Sequence, residues 1–449
     1  MSSAEASESS QGNKWFLRRI TAATAWGEGL DGYDLGAISV VLPIITTEFG
    51  LSPTVVGLVG ASTLAGIFFG GPIFGYLTDR FGRRRIFLFD LVAFVIFAAL
   101  QGVVTAPWQL LALRLLLGLA IGAEYSIGPP MLAEFSPSKG RGRRLCSLQV
   151  CWYVGFLAAV LVAYGMVALG VDWRLILATG AVPALATLLL RYGLPESPRW
   201  LMSQGRDQEA REIVNQNLGE DYFDDEDLAG ESTKKPSYRD LFAPDLRSRT
   251  AFVCIFYTAL VAPYFAIFTF APLVFKSLGT VDPRASVVGS NAIAVLGAFV
   301  GMFVIERMGR RRLLIGCFWI MVVTLAIIGG WSGAPSLVIV GCFVLFAFFN
   351  AISGDLTGVY PSEIFPSELR ATGVGLASAA SRVGAAGGTF LLPIGIAHIG
   401  VGPSVLIGAA IALIGAVATH LWAPETTNLT LTKSPKAEAP RRRDKVAAA

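Results

Sequence analysis

Histidine is nearly absent: among 449 residues only His398 and His420 occur. A histidine-based metal site or a Cys/His nucleophile therefore lacks its raw material. Cysteine is sparse as well. Cys146, Cys151, Cys254, Cys317 and Cys342 fall in or beside apolar runs, with no paired metal-ligand spacing and no partner in an outward loop. They read as packing residues, not as a disulfide framework. No Gly-x-x-x-x-Gly-Lys-Ser/Thr element is found, which argues against direct use of ATP. With no nucleophile, metal or cofactor motif in view, an enzyme is not expected. Charge is scarce too: 15% of residues are charged against 54% hydrophobic, and the mean hydropathy of +0.60 lies outside the range of soluble domains.

Apolar runs of about twenty residues, enough to cross a hydrocarbon core of about 30 Å, fill most of the chain. Twelve are expected, near 21–45, 54–77, 86–105, 108–132, 145–169, 174–193, 250–275, 285–305, 313–331, 336–360, 372–396 and 402–423. This is an all-α membrane protein. Its polar N-terminal start reads as retained and not as a cleaved signal. Nearly all Lys and Arg fall in the segments on the side of the N-terminus, among them Arg191 at the head of the long loop. Only Arg174, Lys276 and Arg284 lie on the opposite side, and Arg114 and Arg382 within the membrane. By the positive-inside rule both termini are cytoplasmic, in the cell (inner or plasma) membrane. The domain map is a tail at 1–20, a six-helix half at 21–193, a cytoplasmic loop at 194–249, a second half at 250–423 and a tail at 424–449. Segments such as Arg206 to Asn217 read as short amphipathic helices on the cytoplasmic face, and the basic tail as a segment that touches anionic lipid.

One span is unlike the rest. Between Trp26 and Ile45 it carries Glu28, Asp31 and Asp34. A carboxylate at mid-bilayer costs at least ~2.5–3.5 kcal/mol on insertion scales, so these acids need a wet cavity, cationic partners or bound protons. At three-residue spacing they form one slanting stripe on the helix, with Glu28 nearer the interface and a neighbouring base as its partner. Gly27, Gly29, Gly32 and Gly36 loosen the helix around them, as in the interrupted helices of transporter sites.

Three unrelated motifs recur at nearly one offset. Asp79-Arg80-Phe81-Gly82-Arg83-Arg84-Arg85 returns as Glu306-Arg307-Met308-Gly309-Arg310-Arg311-Arg312. Glu134-Phe135-Ser136-Pro137 with Arg141 returns as Glu363-Ile364-Phe365-Pro366 with Arg370. Pro195-Glu196-Ser197 returns as Pro424-Glu425-Thr426. The chain is thus two parallel six-helix halves, with a substrate site expected where they meet at the membrane midplane. Asp79, Arg80, Gly82, Arg83, Arg84, Glu134, Arg141, Glu196, Glu306, Arg310, Glu363, Arg370 and Glu425 share one face. Charge-assisted pairs among them are expected to latch neighbouring helices and the two halves together.

With these motifs the chain resembles the major facilitator superfamily over nearly its whole length. Gly75-Tyr76-Leu77-Thr78-Asp79-Arg80-Phe81-Gly82-Arg83-Arg84 is similar to its loop signature, with the glycine of the second copy displaced to Gly301. Pro195-Glu196-Ser197-Pro198-Arg199 and Pro424-Glu425-Thr426 are similar to the half-ends of sugar porters and related metabolite symporters. The seventh span, Tyr257 to Tyr264, lacks the paired amides with which sugar porters hold hydroxyls. Asp31-Gly32-Tyr33-Asp34 is similar to the DGxD element of aromatic acid:proton symporters, and Ser381-Arg382-Val383-Gly384 to an arginine motif of organic anion transporters.

The position of Arg382 supports an anion. It lies about 18 Å inward from Arg370 along one helix, and a guanidinium at that depth needs an acid, a carbonyl cluster or an anionic substrate. Asp355 is the candidate protein partner. Arg114 and Glu124 are further intramembrane charges, about 15 Å apart on one helix and unable to bond each other. Asp31, Asp34 and Glu124 are the expected proton-coupling groups. Arg382, Tyr33, Tyr125, Trp152 and Tyr264 are the expected substrate contacts, with the aromatics flanking an aromatic ring. The expected function is proton-coupled uptake of a small organic anion, an aromatic or other monocarboxylate, by alternating access. The expected partners are the substrate, protons and the lipid bilayer, with no nucleic acid, no cofactor beyond the proton gradient, and a monomeric protein. A sugar, polyol or sugar-acid symporter is the alternative, followed by a drug or metabolite exporter and a non-transporting receptor.

Overall fold

Twelve helices are long and apolar enough to cross a membrane: α1 (Lys14–Phe49), α2 (Pro53–Phe81), α3 (Arg83–Val103), α4 (Pro107–Glu134), α5 (Arg141–Ala168), α6 (Trp173–Arg191), α7 (Arg247–Thr269), α8 (Pro283–Ile305), α9 (Arg310–Gly330), α10 (Ser336–Pro361), α11 (Thr372–Ile399) and α12 (Val401–Trp422). The structure is a computed structural model and describes residues 3–136, 140–219, 238–331, 333–365 and 369–426, among which no strand occurs. The spans agree in number with the apolar runs; α1, α2 and α5 extend about a turn or more beyond theirs, and α7 ends at Thr269, short of the expected Phe275. An even number of crossings puts both ends of the chain on one side, here the termini face. Two short helices, Pro198–Ser203 and Asp207–Leu218, follow the first half on that face. The second buries Ala210, Val214 and Leu218. This four-residue periodicity is the amphipathic pattern expected of the segment, and Val214 and Leu218 join Phe16, Leu17 and Ile20 of α1 in one apolar cluster.

Glycine sets how closely the helices approach. Without a hydrophobic drive between helices in lipid, small residues let backbones touch and dispersion contacts accumulate. Between α1 and α5, a Cβ on Gly32 falls on the Trp152 carbonyl oxygen and one on Gly155 falls on that of Gly29. Between α2 and α4, Gly66 and Gly70 face Gly118 and Gly122, again at backbone contact. These approaches hold α1 and α4, which carry Glu28, Asp31, Asp34 and Glu124, against fixed neighbours. The second half packs by the same rule, with Gly297 of α8 against the Phe348 carbonyl of α10.

The halves meet along two seams. On the side away from the termini, a Cβ on Gly57 of α2 meets the Phe390 carbonyl of α11. Toward the termini face, Arg143 of α5 lies over the Phe303 ring of α8 at 5.4 Å. α10 is interrupted: one helix ends at Gly354 and the next begins at Leu356, leaving Asp355 at the joint.

Gly155→Ala is expected to destabilise the folded protein by about 1–3 kcal/mol, because the added methyl overpacks a backbone contact. Gly316→Ala, at a position with open space around it, is the control. A melting temperature in detergent that falls for the first and holds for the second checks this. Equal values would show that the α1–α5 approach is not limiting.

Candidate functional site

Three arginines sit inside the membrane region, and the structure gives each a different environment. Arg114 of α4 is fully buried and meets Asp34 of α1 in a fork: Nη1 donates to Oδ1 at 3.3 Å and Nη2 to Oδ2 at 3.0 Å. The bidentate geometry matches a planar guanidinium to a carboxylate and cancels both charges in place.

Arg191 is the residue that sequence reasoning missed. By sequence it closes the sixth apolar run and counts as a flanking base of the termini face. In the structure it is the last residue of α6, buried, and points inward. Its Nη2 donates to Glu124 Oε1 of α4 at 2.6 Å, Nε to the Ala23 carbonyl of α1 at 3.2 Å, and Nη1 to the Phe87 carbonyl of α3 at 3.3 Å. Its guanidinium lies 3.5 Å from the Phe87 ring centroid, and Asp90 Oδ1 is 3.8 Å from Nη1. One side chain thus ties four helices of the first half together. A Cβ on Gly27 would land on both Arg191 Nη2 and Glu124 Oε1, so that glycine makes the space for the pair. Glu124, expected as a proton-coupling group, is here half of a fixed ion pair.

Arg382 of α11 has no such partner. It is buried, makes no ion pair among the described residues, and its Nε has no hydrogen-bond acceptor. The expected pairing with Asp355 is not found; that carboxylate lies elsewhere, with both oxygens unpartnered. The guanidinium instead stands over Tyr125 of α4 at 4.5 Å and near Phe265 of α7 at 5.8 Å. The Phe265 ring is 5.7 Å from Trp152 of α5 and 5.6 Å from Tyr264 of α7. Trp152 Nε1 and the Tyr264 hydroxyl are buried and likewise lack hydrogen-bond partners. Three unused polar groups, two of them obligate donors, therefore surround one phenyl ring at the junction of the halves. Buried donors are almost always satisfied, and acceptor oxygens are the chemistry that suits these. The amide of Asn350 on α10 is already engaged, donating to the Leu260 carbonyl at 3.1 Å and accepting from the Tyr153 hydroxyl at 3.4 Å.

Tyr33 does not join this cluster. Its hydroxyl is 2.9 Å from Thr179 Oγ1 at the break in α6, so it faces that helix and not Arg382. Asp31 is 1% exposed, its Oδ2 has no partner, and it shares a small cavity of about 10 Å³ with Asp90 and Glu124. That volume is about one water. Glu28 is buried as well; Arg382 and Arg191 are its neighbouring bases, but it makes no direct ion pair with either.

The charges of the termini face pair within each half. Arg83 of α3 meets Glu134 of α4 at 2.5 Å, and Arg310 of α9 meets Glu363 of α10 at 3.0 Å. Glu196 Oε1 accepts from the backbone N–H of Arg83 at 2.9 Å and of Arg84 at 3.0 Å; Glu425 Oε1 accepts from that of Arg310 at 3.0 Å. Ser197 adds a hydrogen bond to Glu134, and Thr426 Oγ1 donates to Glu363 at 2.5 Å. Each carboxylate thereby caps a helix N-terminus. Gly82 at φ +95° and Gly309 at φ +82° make the turns before those helices, a backbone that side chains resist. Arg141 holds the Ser136 carbonyl at 2.8 Å. The Arg83–Glu134 and Arg310–Glu363 ion pairs both lie within one half. Asp79 and Arg80 are exposed, Asp79 offering its carbonyl to Trp200 Nε1 at 2.9 Å. The side chains of Glu306 and Arg370 lie outside the described residues.

Arg191→Gln is expected to destabilise the protein by about 3–5 kcal/mol, because it strands the buried Glu124 carboxylate. Arg191→Gln combined with Glu124→Gln is expected to recover part of that loss, read as melting temperature and yield. No recovery would separate the two residues.

The sequence matches the family described as Sugar (and other) transporter over residues 20–437. It is 37% identical over 420 residues to the inner membrane metabolite transport protein YgcS of Escherichia coli, covering 93% of each chain. It is 27% identical to the niacin transporter NiaP of Acinetobacter baylyi, covering 80% of this chain and 83% of that one. The fold superposes on the proton:xylose symporter XylE bound to 6-bromo-6-deoxy-D-glucose with a TM-score of 0.78, at 24% identity, covering 94% of this chain and 98% of that one. With twelve membrane helices and this match over nearly its whole length, the chain belongs to the sugar (and other) transporter family, whose members are transporters and not enzymes.

Proposed function

We propose that the protein is a proton-coupled symporter that takes up a small organic anion, an aromatic or other monocarboxylate, by alternating access of its two halves. The observation that carries this reading is Arg382: a permanent cation, buried at the junction of the halves and without a carboxylate of its own. A guanidinium cannot shed its proton, so an anionic ligand is the partner that completes it. Trp152 Nε1 and the Tyr264 hydroxyl offer further hydrogen bonds to the same ligand, while Tyr125, Trp152, Tyr264 and Phe265 supply faces for an aromatic ring. The name of NiaP, which transports niacin, an aromatic acid, agrees with this substrate class.

Proton coupling is assigned to Asp34 and Asp31. Protonation of Asp34 dissolves its fork with Arg114, the tie between α1 and α4, and frees those helices to move. Asp31 is the second group because it is buried with Oδ2 unpartnered and makes no direct ion pair among the described residues. By the distribution of basic residues the termini face is cytoplasmic, in the inner membrane named for YgcS, and the monomer is the working unit. A sugar, polyol or sugar-acid is the second reading, favoured by the substrate in the name of XylE and by the family description.

Asp34→Asn is expected to abolish pH-gradient-driven accumulation in proteoliposomes while counterflow exchange persists. Accumulation equal to the parent would remove Asp34 from coupling.

The substrate class is tested at Arg382. Arg382→Ala is expected to lose at least thirty-fold in affinity for a carboxylate, since truncating one partner of a desolvated charge pair costs about 2–5 kcal/mol. Arg382→Lys, which keeps the charge without the planar fork, falls between. The measurement is binding of an aromatic acid and its neutral amide to purified variants, with sugars in parallel. Normal acid binding by Arg382→Ala, or preference of the parent for a neutral ligand, would replace the anion with a sugar or polyol.

A further inference from the structure

Asp355 takes no part in the site described above, yet it is the most isolated charged group of the second half. It is 2% exposed, and both of its carboxylate oxygens lack hydrogen-bond partners. It makes no ion pair among the described residues. Leaving an ionised carboxylate in such a place is prohibitively costly, so it is neutral here or bound to a cation.

Its position ties that neutrality to the packing of the halves. Asp355 occupies the joint of α10, six residues before Pro361 and so about 9 Å inside the end of the span at the termini face. The carboxylate is received by α8: a Cβ on Gly301 would strike Asp355 Oδ2, so the displaced glycine of the second motif copy opens the space it fills. On its other side lies α5 of the first half. A Cβ on the adjacent Gly354 would be 3.5 Å from the Tyr153 hydroxyl and 3.7 Å from Gln149 Nε2. The Tyr153 hydroxyl also reaches Asn350 across the seam at 3.4 Å. The same seam carries Arg143 over Phe303 nearer the termini face. The closed contact of α5 with α8 and α10 is therefore what dries Asp355.

We infer that Asp355 is a second proton-binding group, separate from the Asp34–Arg114 pair, which gates the seam between the halves at the termini face. Closing the seam strips water from the carboxylate and requires the proton; opening it admits water and lets the proton leave. Protonation and closure are linked, so closure is favoured at low pH and lost as pH rises. This linkage holds whatever the substrate is, and it places proton-binding groups on both halves.

The test is conformational. Spin labels at Gly142→Cys on α5 and Arg307→Cys on α8, in a protein freed of its native cysteines, report the seam distance by double electron–electron resonance. Asp34→Asn is included as background to remove the first titration. The open-to-closed ratio is expected to rise with pH by up to about ten-fold per pH unit, the limit for one linked proton. Asp355→Asn, a permanently neutral isostere, is expected to stay closed across the same range, and Asp355→Ser serves as a second neutral variant should the first fold poorly. Infrared titration is expected to show a protonated-carboxyl band that is absent from Asp355→Asn. An unchanged pH dependence in the neutral variants would overturn the inference. So would closure driven by sodium at fixed pH, which would make Asp355 a cation ligand instead.

Discussion

The constraint on which this structure depends is that charge inside a hydrocarbon slab must be cancelled, neutralised by a proton or given to a ligand. Each buried ion of the first half answers it differently. Asp34 and Arg114 cancel in a fork, and Glu124 and Arg191 cancel in a pair reinforced by two backbone carbonyls and an aromatic face. These pairs span helices, so the same contacts that remove the electrostatic penalty also set the positions of α1, α3, α4 and α6. A buried pair adds little net stability over a well-packed apolar core, but losing one partner is severe. Such a pair holds an arrangement until a proton arrives.

Glu28, Asp31, Arg382 and Asp355 are buried and without direct ion pairs among the described residues. A guanidinium cannot change its charge and a carboxylate can. In the proposed function, the permanent cation takes the anion and the acids take the protons.

The glycine pattern serves the same end. Close helix approach at Gly32, Gly155, Gly66 and Gly118 builds rigid halves, and the carboxylate caps at Glu196 and Glu425 repeat one design at the ends of both. The Arg83–Glu134 and Arg310–Glu363 pairs each lie within one half. The seam is held by softer contacts, a guanidinium over a ring and a tyrosine hydroxyl on an amide.

Much of this was legible in the chain before folding. Apolar run length decided the twelve crossings, because only a helix of that length satisfies its backbone through a bilayer. Repeated motifs decided the two halves, and the depth of Asp31, Asp34 and Arg382 marked them as needing partners. Which partner each would find was not legible. Pairing depends on helix rotation and on which neighbours glycine admits, and both are settled only when the bundle closes. That is why Arg191 read as a flanking base and proved to be a buried anchor, why Asp355 read as a partner for Arg382 and proved to stand alone, and why Tyr33, one residue from the acid stripe, turned toward α6. Sequence determined how many charges the membrane must hide; tertiary structure decided which were hidden by each other and which were left for a substrate or a proton.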